Sequence, residues 1–92
     1  MIRSFRDKKA AALFRGARVK ELRAIEKAAR RKIEMVNAAK TLEDLYAVPG
    51  NRLEPLKGDR KGQYSIRIND QFRVCFVWRE DGAHDVEIVD YH

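Results

Sequence analysis

The sequence predicts an α+β fold in which an antiparallel sheet carries N-terminal helices packed on one of its faces. Three observations predict it. Apolar residues recur in steps of three and four through the first forty positions and then alternate one by one from Tyr64 to Ile88. Turn dipeptides interrupt that alternation at Asn69-Asp70 and Asp81-Gly82. A helical half followed by a stranded half is the pattern of segregated α+β proteins. A chain of 92 residues buries too little surface for two cores, so residues 1–92 read as one domain.

Each element has its own signal. Ile2 to Phe5 reads as a short edge strand. Lys8 to Phe14, with three consecutive alanines, favours a first helix that Gly16 closes. From Val19, the apolar positions Leu22, Ile25, Ala29, Ile33, Val36 and Ala39 predict one long amphipathic helix. Thr41 followed by Asp44 resembles an N-terminal capping pair and predicts a short helix from Leu42 to Tyr46, ending before Pro49-Gly50. Tyr64, Ile66 and Ile68 then alternate with polar residues, and Phe72, Val74, Phe76 and Trp78 repeat the alternation. A last strand carries Val86 and Ile88 toward Asp90, giving a three-stranded meander whose apolar face the helices cover.

Charge narrows the partners. Residues 1–40 hold 13 Lys/Arg against 4 Asp/Glu, whereas residues 41–92 hold 7 against 10. The basic field therefore sits on the helical half, where Lys27, Arg30, Arg31 and Lys32 are expected to face a polyanion such as ribosomal RNA. No stretch has the length of a membrane span, and Met1 to Arg6 lacks a signal-peptide core, so a cytoplasmic location is expected. The single cysteine, Cys75, excludes an internal disulfide and reads as a small core residue. No metal is expected, since His84, His92, Cys75 and the carboxylates lack ligand spacing, and His84 reads as a solvated strand-end residue. Lys57-Gly58-Asp59-Arg60-Lys61-Gly62 is not a nucleotide-binding loop, because its spacing and ending are wrong. No cofactor is expected.

The remaining chemistry is acid-base work beside cations. Arg67 and Arg73 lie on the polar parity of neighbouring strands, and Lys57 and Arg60 are expected to join them around one concave, phosphate-binding surface. Asp90-Tyr91-His92 supplies a carboxylate, a phenol and an imidazole in succession. Strict alternation creates a tension there. Asp90 and His92 share parity with the apolar Val86 and Ile88, whereas Tyr91 faces the other way.

Several segments together resemble the HigB-type toxins of bacterial toxin-antitoxin pairs, within the RelE/ParE superfamily and especially its GraT-like branch. They are Met1-Ile2-Arg3-Ser4-Phe5, Gly50-Asn51-Arg52-Leu53-Glu54, Tyr64-Ser65-Ile66-Arg67-Ile68-Asn69-Asp70-Gln71, Arg73-Val74-Cys75-Phe76 and Val86 to His92. The resemblance implies a compact RelE/ParE-like fold and a toxin that cleaves messenger RNA in the ribosomal decoding site. It also implies a HigA-type helix-turn-helix antitoxin as partner. Lys57, Asp90, Tyr91 and His92 match active-site positions of such enzymes, and Arg73 matches a basic sheet position that serves phosphate binding. Glu54 departs from the pattern, since some relatives carry histidine there.

Metal-free RNA cleavage needs a base for the ribose 2′-OH, an acid for the leaving 5′-oxygen and cations for the added charge. Glu54 or a neutral His92 suits the base, and a His92 held by Asp90 suits the acid. Lys57 and Arg73 suit the charge, and Tyr91 suits stacking on a base. Two other readings stay open from sequence: a non-catalytic gyrase poison of ParE type, and a plain RNA- or ribosome-binding protein.

Overall fold

A computed structural model describes residues 1–91. Helix α1 spans Lys8–Phe14, α2 spans Glu26–Ala38 and α3 spans Leu42–Tyr46. Strands β1 (Glu54–Pro55), β2 (Gln63–Arg67), β3 (Phe72–Arg79) and β4 (Gly82–Asp90) follow. They form one antiparallel sheet in the order β1-β2-β3-β4. The first residues run parallel to the outer edge of β4 through bridges at Ile2 to Ala83 and Phe5 to Val86, as the expected edge strand does in outline. Strand β1 was not legible beforehand. It is two residues long and contains a proline, which a sheet tolerates only at its edge.

The expected long helix is two pieces. Lys20–Ile25 is a 3₁₀ turn, and the α-helical path begins only at Glu26. The spacing explains the break. Val19, Leu22 and Ile25 recur every third residue, the repeat of a helix with roughly three residues per turn, whereas Ala29, Ile33 and Val36 follow the α repeat. All six are buried in the same core, so both helical forms serve one stripe. The capping pair forms as expected. The Thr41 side chain accepts from the Asp44 N–H, and Asp44 accepts from the Thr41 and Lys40 N–H groups, which hold its carboxyl below the usual range.

The core lies between the helices and one face of the sheet. Leu13, Ile33, Ile66, Val74, Phe76 and Val86 are fully buried there. Each contributes about 1.5–3 kcal/mol by leaving water. Phe76 sits between Tyr64 and Trp78, with ring centroids 6.4 and 6.3 Å away.

Strand β4 reaches that core only through a bulge. Cys75 pairs with Glu87 and Val77 with His84, so Phe76 opposes two residues, Asp85 and Val86. Asp85 takes φ 53°, a left-handed conformation that aspartate tolerates better than most residues. Its displaced N–H is satisfied by Ser4 Oγ at 2.9 Å. The bulge places both Ala83 and Val86 in the core although three positions separate them.

Two charged side chains are spent on this frame. Arg30 donates to the carbonyls of Leu13 (3.1 Å) and Ala17 (3.2 Å), closing the C-terminal end of α1. Lys32 is only 8% exposed, and its Nζ donates to Asn51 Oδ1 at 2.6 Å. These two positions are corrected from the expected polyanion-facing set; Lys27 and Arg31 are exposed as expected. The signal was present for Lys32, which falls on the stripe between Ala29 and Val36. No helix among the described residues is long and apolar enough to cross a membrane.

Candidate active site

The face of the sheet turned away from the helices carries the polar parity of every strand. One row across it reads Glu54, Ser65, Cys75, Glu87, and the next reads Arg67, Arg73, Val89. Beyond the second row Asp90 pairs with Phe72, and Tyr91 follows on the same parity as Val89. Arg67 and Arg73 are direct cross-strand partners, a like-charge pair that needs compensation. It is compensated on both sides. Arg67 pairs with Asp70 from the β2–β3 turn, and Arg73 Nε lies 3.8 Å from Glu54 Oε1.

Arg73 is the most heavily bonded of these cations. Its side chain is 12% exposed; Nε donates to Ser65 Oγ at 2.7 Å and Nη2 to the Arg52 carbonyl at 2.7 Å. Asn69 shapes the adjoining turn by accepting from the N–H groups of Gln71 (2.8 Å) and Phe72 (2.7 Å). Arg52, Glu54, Arg67, Asn69, Asp70, Arg73 and Tyr91 line a concavity of about 390 Å³, within the roughly 300–1,000 Å³ of small-ligand sites.

Lys57 and Arg60 do not line it. Lys57 is exposed at the start of the 3₁₀ turn Gly58–Arg60. Arg60 belongs to the same sheet face but is engaged elsewhere, donating to Glu87 Oε2 at 3.0 Å and Gln63 Oε1 at 3.1 Å. The bond to Glu87 raises its pKa further above the ordinary arginine value. Of the expected ring of four cations, two therefore lie in the concavity, Arg60 is paired with Glu87, and Lys57 stands exposed on the turn that follows β1. Arg52 and Asn69 were not singled out from sequence. Arg52 hides because its conformation is what matters: φ 45° and ψ 52°, left-handed backbone in a residue other than glycine.

Cys75 lies beneath this polar face and not in the main core. Burial pushes its thiol up to about 11, with Glu87 and Glu54 adding to the rise and Arg60 and Arg73 opposing it. His84 is not merely solvated. Its Nε2 sits 2.6 Å from Asp81 Oδ1, and that bond holds Asp81 below the usual carboxylate range. No cluster of three His, Cys, Asp or Glu suited to a metal occurs among the described residues.

The opposed parities expected for Asp90 and Tyr91 are real. Asp90 pairs with Phe72 on the helix side, accepts from Gln71 Nε2 at 3.1 Å and lines a separate cleft with Arg6, Asp7 and Lys9. Tyr91 lines the cationic concavity. The structure thus brings Glu54, Arg67, Arg73 and Tyr91 together and sets Asp90 across the strand; His92 lies outside the described residues. Chemically, the concavity offers guanidinium groups for a phosphodiester, a carboxylate beside them and an aromatic ring at the rim.

The chain that builds this α+β frame and its cationic sheet face matches a known family. Residues 3–92 fit the HigB-like toxin family, described as RelE-like toxins of the type II toxin-antitoxin system HigB, and the chain belongs to that family. It is 50% identical over 54 residues to the protein named Toxin HigB-1 of Vibrio cholerae serotype O1, covering 59% of this chain and 57% of that one. It is also 39% identical over 41 residues to the Endoribonuclease HigB of Proteus vulgaris, covering 45% of each. These matches span about half the length of the curated relatives. A solved YoeB/ParE toxin from Agrobacterium tumefaciens aligns with a TM-score of 0.40 and 23% identity, over 78% of this chain and 86% of that one.

Proposed function

We propose that this HigB-family toxin is an endoribonuclease that cuts messenger RNA on the ribosome and so inhibits translation and growth. The observation that carries the reading is the convergence of Glu54, Arg67, Arg73 and Tyr91 on one concavity. A relative named as an endoribonuclease supports it.

The chemistry follows from what each group can supply. Tyr91 stacks on a splayed base, and the guanidinium groups hold the scissile phosphate. Glu54 takes the proton from the ribose 2′-OH as the 2′-oxygen attacks phosphorus in line. The P–O5′ bond breaks, and His92 delivers a proton to the leaving 5′-oxygen. Lys57, exposed on the turn that follows β1, is assigned to offsetting the developing charge. Asp90, being across the strand, is assigned to holding the His92 ring and not to touching substrate. The products are a 2′,3′-cyclic phosphate and a 5′-hydroxyl, formed without a metal or cofactor.

A site this open has few groups to orient a flexible strand. The ribosome supplies that orientation in the decoding site, and exposed Lys27 and Arg31 contribute to docking on ribosomal RNA. The cognate partner is a HigA-type helix-turn-helix antitoxin, and the whole cycle runs in the cytoplasm.

The decisive experiment maps RNA 5′ ends after brief expression and repeats cleavage with purified, programmed ribosomes. Cuts within translated codons, absent from free RNA, are expected. Intact messenger RNA together with accumulated gyrase-cleaved DNA would replace this reading with a topoisomerase poison of ParE type.

A further inference from the structure

The three guanidinium groups of the concavity are not equivalent, and their differences divide the work among them. Arg67 is neutralised by Asp70. Arg73 commits Nε and Nη2 within the protein, to Ser65 Oγ and the Arg52 carbonyl, and stands beside the Glu54 carboxylate. Arg52 is the opposite case. Its side chain is exposed, and its guanidinium makes no hydrogen bond or ion pair among the described residues.

The backbone beneath Arg52 is nevertheless fixed. Arg73 binds its carbonyl. The preceding Asn51 is fully buried, donating to the Leu45 carbonyl at 3.0 Å and accepting from Lys32 Nζ at 2.6 Å. Asn51 thereby anchors the left-handed turn to α2. Lys32 keeps that position although burial, with Arg31 and Arg67 nearby, lowers its pKa. A planar cation with its donors uncommitted, mounted on an immobilised backbone, is prepared to bind a phosphate at small entropic loss.

We infer that Arg52 is the phosphate-gripping cation of the concavity, and that Arg73 is a positioning residue that holds Arg52 and Glu54 in register. This inference rests on the RNase reading above and names the groups that hold its substrate. It moves the principal phosphate contact from the sheet, where sequence placed it, to the turn before β1. Lys32 and Asn51 act one step further back, as the mount of that turn.

The test uses the whole protein and a 2′-O-methyl RNA hexamer, which binds without being cut because its 2′-oxygen carries no proton. Arg52→Gly keeps the left-handed backbone while deleting the cation, and Arg52→Lys restores the charge without the planar fork. In Arg52→Gly the slope of log K against log salt should fall by about 0.7, the release expected for one contact to a single strand. On programmed ribosomes its KM should rise roughly 10-fold with a smaller change in kcat, the mark of lost substrate binding. Arg52→Lys should recover the slope but only part of the KM. In Arg73→Lys, kcat should fall further than in Arg52→Gly, because Glu54 and Arg52 both lose their support.

An Arg52→Gly protein with wild-type salt slope and KM overturns the inference, as does a wild-type protein that fails to bind the hexamer at low salt. Binding that depends on Arg52, without any cleavage by the wild-type protein, upholds the inference and removes the RNase reading. Cleavage by the wild-type protein that is indifferent to Arg52 does the reverse.

Discussion

The two faces of the sheet are built from the same strands, yet they obey different rules. On the helix side, Ile66, Val74, Phe76 and Val86 are fully buried and interchangeable in kind, since any close-packed apolar set of similar volume would serve. On the open side, Glu54, Ser65, Arg67 and Arg73 are defined by whom they contact. One face is specified by pattern, the other by identity. A sequence therefore reveals the first through periodicity and the second only through the chemistry of individual residues.

That contrast can be broken most strongly by Phe76→Ala on the helix side. It should cost about 3–5 kcal/mol, close to the whole stability of so small a domain, with urea unfolding as the measurement. Tyr91→Ala on the open side should leave stability within about 0.5 kcal/mol while lowering ribosome-dependent cleavage about 100-fold or more. If Tyr91→Ala destabilises as much as Phe76→Ala, the division between the faces is wrong.

Asn51→Ala probes the junction between the two. It removes the acceptor of the buried Lys32 ammonium and leaves the Leu45 carbonyl short of a partner, so a loss of about 2–3 kcal/mol is expected. Adding Lys32→Met should return part of that loss, since the unpaired charge goes with it. Chemical denaturation of the single and double variants checks this, and additive losses would count against the pairing.

Cys75 sharpens the comparison by pH. Its folded thiol is raised to about 11 from an ordinary 9.0, so the folded state resists ionisation. The stabilisation is complete below pH 9 and lost as pH rises through the folded value, for a total on the order of 2 kcal/mol. Cys75→Ala should flatten the stability curve in that window relative to wild type. Parallel curves would mean that the polar face admits water to the sulfur.

The smallest effect on the protein itself is expected at Lys27→Glu with Arg31→Glu. Stability should change by no more than about 0.5 kcal/mol, whereas ribosome association should weaken and lose part of its salt dependence. Sedimentation across a salt series measures it, and an unchanged profile would make this surface merely solubilising.

These residues also show what was legible beforehand. The alternation in β2 and β3, the Thr41-Asp44 cap and the opposed parities of Asp90 and Tyr91 follow from local rules, and the structure has them. Lys32 misled because a lysine is read as exposed, although its spacing put it on the buried stripe. Arg30 misled because its target, the end of α1, is 17 residues away. Arg52 was not legible as a lining residue because its left-handed backbone is set by the surrounding fold and leaves no signature in residue type or spacing. The Glu54 to Arg73 contact needed the short strand β1, which is too brief for periodicity to announce.

The bulge at Asp85 carries a consequence for the whole open face. It acts as a phase shifter: before it, Ala83 points inward, and after it Val86 and Ile88 do, with Glu87 and Tyr91 outward. If Asp85 were instead paired as a regular strand residue, the rest of β4 would slip by one position and exchange its inner and outer side chains. Val86 would be turned to solvent and Glu87 toward the helices. The bulged Asp85, at the far end of the strand, thus sets which way Tyr91 faces.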